Sequence, residues 1–272
     1  MKFKPKFYIG DIGLMLIISM FFSCQKAELP KEQIAFEEIN NSHANQMLVK
    51  LPSPVDYYIL LQSEGAAFKS ELLPGLHLSE NATDYNAKAY ALGVLSSCIL
   101  YLTVFEQNYL VPDYFKQAII LSQELGLSQS FNSQNILRIQ KNIHSVDSLR
   151  EISNQIFQNI TLQLENPSDS LTYSLVLAGG WFQSFYTGIN SDNPKMTSDK
   201  LAFLVSEQTL VLENLLQIMN SPSVQKTPYY QILTDIYQQL ELFSLSESNL
   251  PSAQDLDSLK ILTNKWRNQW IK

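Results

Sequence analysis

The sequence predicts an all-α protein, an irregular antiparallel bundle of helices, with an α-solenoid as the alternative. Three observations lead there. The 272 residues include only 11 prolines and 9 glycines, about 7% together against a usual total near 12%, too few for a turn-dense β architecture. Apolar residues recur at three-four spacing over most of the chain, and no convincing alternating strand appears. No repeat of fixed period is present, and connections are mostly short, which favours antiparallel neighbours. With 45% hydrophobic residues the chain can bury a sizeable core.

The chain opens with Lys2, Lys4 and Lys6, followed by an apolar run from Ile12 to Phe22. That run suits the h-region of an export signal and is shorter than the roughly 20 residues a spanning helix needs. It ends in Phe21-Phe22-Ser23-Cys24, and polar Gln25-Lys26 follow at once. A small residue and then Cys directly after the h-region resembles the lipobox of bacterial lipoproteins. Phe21 stands where Leu is commoner, a looser form that Bacteroidota lipoboxes tolerate. The resemblance implies cleavage after residue 23, diacylation of the Cys24 sulfur and usually acylation of the new N-terminus. Two or three acyl chains anchor stably where one is marginal. The alternatives are an uncleaved signal anchor, or a secretory signal with an incidental cysteine. Gln25-Lys26-Ala27-Glu28 carries half of the acidic surface-export pattern of some Bacteroidota lipoproteins. The periplasmic face of the outer membrane is therefore expected, with surface display as the alternative.

Residues 24–52 read as the lipidated cysteine and a polar tether reaching about 30 Å. Residues 53–272 read as one helical domain. Ser53 caps a helix with Pro54 in its first turn and Gly65 as its stop. Residues 66–82 form a loop around Pro74-Gly75. Asp84 opens a helix to about Glu106, whose apolar stripe is wide enough for a central position. Pro112-Asp113 starts the next, which Gly126 ends. Asn132 or Ser133 begins another through Ile136, Ile139 and Ile143. Ser145 or Asp147 caps a helix through Ile152 to Leu164, broken at Pro167-Ser168. Leu171 to Tyr186 is the most apolar helix of the body. Ser198 caps a helix to Met219, Thr227-Pro228 opens one to about Leu245, and Ser252 with Asp255 opens the last, to Ile271.

Four blocks together resemble a family of uncharacterised all-helical Bacteroidota lipoproteins: Ser53-Pro54-Val55-Asp56-Tyr57-Tyr58 through Gly65; Lys88-Ala89-Tyr90-Ala91-Leu92-Gly93-Val94; Val146-Asp147-Ser148-Leu149; and Ala178-Gly179-Gly180-Trp181. The resemblance implies an all-helical lipoprotein and implies no activity.

Composition narrows the function classes. The net charge is −7, and arginine occurs only at Arg138, Arg150 and Arg267. Without a basic stripe to neutralise phosphates, nucleic acid is not an expected partner. His43, His77 and His144 are far apart, with no His-x-x-x-His or Cys-x-x-Cys, so no metal or cofactor is expected. No nucleophile elbow, phosphate-binding loop or dinucleotide fingerprint appears, so no catalytic residue is assigned. Cys98 reads as a buried free thiol.

Three internal features stand out. Gly179-Gly180-Trp181 places two glycines within a helix at roughly 1 kcal/mol each. Close approach of a neighbouring helix accounts for them, and a kink opening an aromatic pocket is the competing account. Asp-Ser-Leu occurs at 147–149, 169–171 and 257–259 and resembles the Bacteroidota O-glycosylation motif, which implies Ser148, Ser170 and Ser258 as acceptors. The same triplet equally suits a helix start, where the acid complements the dipole. Trp266 and Trp270 share a helix face among cations, placed either to touch a membrane or to pack on the body.

Two functions follow. The first is a non-catalytic lipoprotein, anchored in the membrane through Cys24, that binds another envelope protein. The second is a small-ligand binder or unrecognised hydrolase with a pocket near residues 179–186, which Ser96, Ser97 or Glu106 would line.

Overall fold

In the computed structural model two long helices lie side by side at the centre and the others wrap them. The structure describes residues 54–127, 133–142, 170–244 and 253–270, and single positions between 145 and 159. Among the described residues there are ten α-helices and no strand. They are α1 (Pro54–Ser63), α2 (Leu78–Asn81), α3 (Tyr85–Val104), α4 (Val111–Glu124), α5 (Ser133–Lys141), α6 (Ser170–Asn190), α7 (Ser198–Ile218), α8 (Pro222–Gln225), α9 (Pro228–Ser244) and α10 (Ala253–Trp270). The all-α bundle expected from the periodicity is what forms.

Helix ends follow the local chemistry. Gly65 takes φ +87°, its N–H donates to the Gln62 carbonyl, and the next N–H reaches back to Leu61. This double closure needs a left-handed residue after the last turn. Gly126, at φ +74°, closes α4 on Gln123 and Ser122 in the same way. The Asp84 carboxylate caps α3 by accepting from the Ala87 N–H at 2.9 Å. Three expectations shift. The cap of α7 is Thr197, which accepts from the Lys200 N–H, rather than Ser198. Helix α6 continues one turn past Tyr186, to Asn190. The loop over 66–82 contains a single 3-10 turn, Ser70–Leu72, and α2. Most of the helix expected from Ser145 to Leu164 lies outside the described residues. At its start the Ser145 hydroxyl accepts from the Ser148 N–H at 3.3 Å, as a cap does. Asn132, Ile143, Pro167-Ser168, Leu245, Ser252 and Ile271 also lie outside.

Helices α3 and α6 form the most extensive packing in the domain. Every position from Ala89 to Leu95 is buried, as the wide stripe requires of a helix enclosed on all sides. By length and composition α3 would also cross a membrane, but most of it is buried within the domain. The two helices run parallel. Thr172 donates to the Tyr85 hydroxyl at one end, and Gly179 lies against Tyr90 in the middle. Near the other end the Tyr58 hydroxyl bonds Ser97 at 2.6 Å and also meets Thr187. Parallel neighbours need an intervening crossover, here residues 105–169, and so are not sequence neighbours. Helices α3 and α4 are antiparallel, with Lys88 paired to Glu124 at 3.0 Å. Helix α1 packs on α3 and α6, α7 on α6 and α9, and α10 on α6 and α9.

Candidate functional site

The Gly179-Gly180-Trp181 run lies where α6 crosses α3. A Cβ on Gly179 would overlap the Tyr90 carbonyl oxygen and sit 3.2 Å from the Val94 nitrogen. Gly93, on the facing helix, is equally confined. A Cβ there would overlap the Val176 carbonyl and lie 2.8 Å from the Gly180 nitrogen. The glycines therefore permit backbone-to-backbone contact, the close-approach account of their cost. The aromatic residues that follow point the same way. Trp181 is buried and stacks on Phe185 at 4.9 Å and 11°, and Phe182, Phe185 and Tyr186 are core. Ser96, Ser97 and Glu106 have separate surroundings. Ser96 donates to the Leu92 carbonyl within its own helix, Ser97 bonds Tyr58, and Glu106 lies beyond the end of α3, exposed to solvent.

A cavity of about 180 Å³ opens along the end of α6, from Phe185 onward. Its back is the end of α6, at Phe185, Gly188 and Ile189, and the Tyr57 ring from α1 covers Gly188. The absence of a side chain at Gly188 is required, because a Cβ would collide with the Tyr57 hydroxyl and lie 2.6 Å from the ring carbon that bears it. Helix α7 contributes Leu204, Val205 and Gln208, and α10 closes the front with Leu256 and Lys260.

The polar groups are few. Gln208 is only 6% exposed, lines the cavity, and makes no hydrogen bond among the described residues. Buried amides are almost always paired. Burial pushes the Tyr57 hydroxyl pKa upward, so it stays protonated. Lys260 makes no ion pair among the described residues. Asp192 nearby is committed to Lys69 at 2.7 Å. The Lys69 hydrogen bond and charge, with a smaller contribution from Lys260, hold the Asp192 carboxyl below its ordinary range. Ser191, also in the lining, spends its hydroxyl proton on the Thr187 carbonyl at 2.6 Å. The cavity thus presents an ammonium, the Gln208 amide, the Tyr57 hydroxyl and the Asn193 Oδ1, a buried acceptor with no partner among the described residues, over an apolar wall. A concave apolar site with a few polar groups is a shape that binds small molecules.

The remaining candidates separate. Cys98 is a free, buried thiol, as expected, and burial pushes its pKa upward, away from thiolate chemistry. His77 is exposed, with Nδ1 3.2 Å from Glu80. Among the described residues no three His, Cys, Asp or Glu side chains gather as metal ligands. Ser148 is half-buried and hydrogen-bonded to Ser145. Ser170 is half-buried at the start of α6. Ser258 is exposed on α10 and donates to the Gln254 carbonyl. Trp266 packs against the core, with the Lys265 ammonium 5.2 Å from its ring, so the packing alternative describes it. Cys24, His43, His144 and the Trp270 side chain lie outside the described residues.

Sequence reasoning did not single out Tyr57, Gly188, Gln208 or Lys260, which come from four helices with no common spacing. The one available signal was Gly188, a third glycine in an apolar helix. Compared with known proteins, the chain matches no family model, no curated protein and no solved structure.

Proposed function

We propose that the protein is a lipid-anchored envelope protein whose helical domain is a non-catalytic interaction module. The anchoring half rests on the Lys2-to-Cys24 pattern. A diacylated Cys24 and the polar stretch after it would hold the domain clear of the outer membrane on its periplasmic face.

The interaction half rests on one observation. Phe203 and Leu210, two turns apart on the outer face of α7, are 64% and 55% exposed. The spacing places both on one side of the helix, with exposed Ser206 and Glu207 between them, and two large apolar side chains presented on one helix face are candidate anchors for a partner. The inert thiol and the cavity without an activated nucleophile fit a binding role.

In-cell photo-crosslinking from position 203 or 210, followed by mass spectrometry, tests this. One dominant envelope partner, lost in Phe203→Asp and retained in a variant at an exposed residue outside α7, such as Tyr109→Asp, supports the reading. Crosslinks spread over many proteins at background level overturn it. Cys24→Ser tests the anchor separately. The variant protein leaves the membrane fraction if Cys24 carries the lipid, and stays there if an uncleaved segment holds it.

A further inference from the structure

We propose that the cavity between the end of α6, α7 and α10 binds a small monocarboxylate with an apolar body of about six to eight carbons. The size follows from the volume. A cavity of about 150 Å³ accommodates benzene, and this one is about 180 Å³. The body would lie against Phe185, Ile189, Leu204 and Val205, which make the wall apolar.

The head group follows from the polar residues. Lys260 is the charged residue in the lining and makes no ion pair among the described residues. Asp192, whose charge Lys260 feels, is already held by Lys69 at 2.7 Å. Gln208 offers an amide N–H that is otherwise unpaired although the residue is more than nine-tenths buried. The Tyr57 hydroxyl remains a donor because burial holds its proton on. The Lys260 ammonium with Gln208 and Tyr57 as donors matches a carboxylate, whose oxygens only accept, while the Asn193 Oδ1 in the same lining is an acceptor that this head group does not use. An alcohol would leave the ammonium unanswered, and an amine would oppose it. The inference is independent of the partner surface on α7.

The experiment uses the full chain in lipid nanodiscs, with empty nanodiscs as the blank. Saturation-transfer NMR and calorimetry measure binding of hexanoate, 3-phenylpropanoate, hexan-1-ol and hexylamine. The expected result is binding of both carboxylates at least tenfold tighter than hexan-1-ol, with hexylamine weakest. Lys260→Gln should weaken hexanoate about tenfold and leave hexan-1-ol unchanged. Gln208→Leu, which keeps the size of the side chain and removes the donor, should also weaken hexanoate. Equal binding of hexanoate and hexan-1-ol to the unaltered protein overturns the proposal without any variant. So does hexanoate binding no tighter than to the blank, or binding untouched by both substitutions.

Discussion

The carbonyl oxygen of Tyr90 occupies the space that a side chain on Gly179 would need. Gly180, its neighbour, is different: a Cβ there would meet the Gly93 carbonyl at 3.5 Å, an ordinary contact. The two adjacent glycines therefore predict opposite outcomes. Gly179→Ala must push α3 and α6 apart and should destabilise by about 3 kcal/mol. Gly180→Ala removes backbone freedom from the unfolded chain at little steric cost and should stabilise by up to about 1 kcal/mol. Urea unfolding of both variants decides it: equal destabilisation would mean that Gly180 is as tightly confined as Gly179, and a mild Gly179→Ala that the crossing can open.

The C-terminal helix is fastened by Arg267. Its guanidinium donates to the Leu73 carbonyl at 2.5 Å and to the Tyr186 hydroxyl at 3.3 Å, and lies 4.6 Å from the Tyr186 ring centroid. Leu73 is the middle of three consecutive captured carbonyls. Gln183 donates to Leu72 at 2.9 Å, and Tyr114 donates to Pro74 at 2.8 Å. Side chains from α6, α10 and α4 thus hold one loop. Arg267→Ala should cost about 2 kcal/mol and speed hydrogen exchange in residues 66–82. Arg267→Lys should not restore either, since an ammonium lacks the planar fork.

Much of this was legible locally and little of it globally. The caps at Asp84, Gly65 and Gly126 are readable because each acts on backbone within a few residues. The central place of α3 is readable because burial on all sides leaves no polar face. The parallel pairing of α3 with α6 was not, because periodicity tells which face is buried and never what covers it. Gly179 and Gly180 signalled a close approach without naming Gly93 as its partner. The cavity was legible only in part, since it takes in Phe185 from the 179–186 region but extends past it to Gly188 and Ile189. Aromatic side chains fill space as readily as they line it, so the Trp181 to Tyr186 run fits a core or a pocket equally. Gln208 in a helix looks like any surface glutamine until its neighbours are known.

Helix α3 ends on a residue poorly suited to the task. Glu106 adopts φ +59°, its N–H donates to the Thr103 carbonyl at 3.2 Å, and the Gln107 N–H reaches Leu102 at 2.8 Å. This is the closure that Gly65 and Gly126 make without a side chain. A left-handed residue with a Cβ costs roughly 1–2 kcal/mol, part of which glycine loses again to unfolded-state entropy. Glu106→Gly should therefore raise stability by about 0.5–1 kcal/mol, seen as a higher melting temperature. A lower one would mean that the Glu106 side chain makes a compensating contact.

Asp192 provides a pH test. Its carboxyl is held low chiefly by Lys69, through the 2.7 Å contact and then through charge. A folded pKa below the unfolded value makes the ion pair stabilising above the unfolded carboxylate pKa. That contribution is lost as pH falls through the folded value. Carboxyl NMR titration should show Asp192 titrating below the ordinary aspartate range. Lys69→Met should return it there, and no change in the variant would remove Lys69 as the cause.

Glu64 and Lys200 join the end of α1 to the start of α7 by a 2.7 Å ion pair in which the glutamate side chain is 9% exposed and the lysine 56%. The carboxylate has lost most of its water, so it depends on its partner more than the lysine does. Lys200→Met should cost about 2 kcal/mol, between the values for surface and buried pairs, because it strands a desolvated charge. Replacing Glu64 as well removes that charge, and the double variant Glu64→Met with Lys200→Met should recover most of the loss. A double variant as unstable as the single one would show that Glu64 acts through its packing, and that the ion pair contributes little to holding α1 against α7.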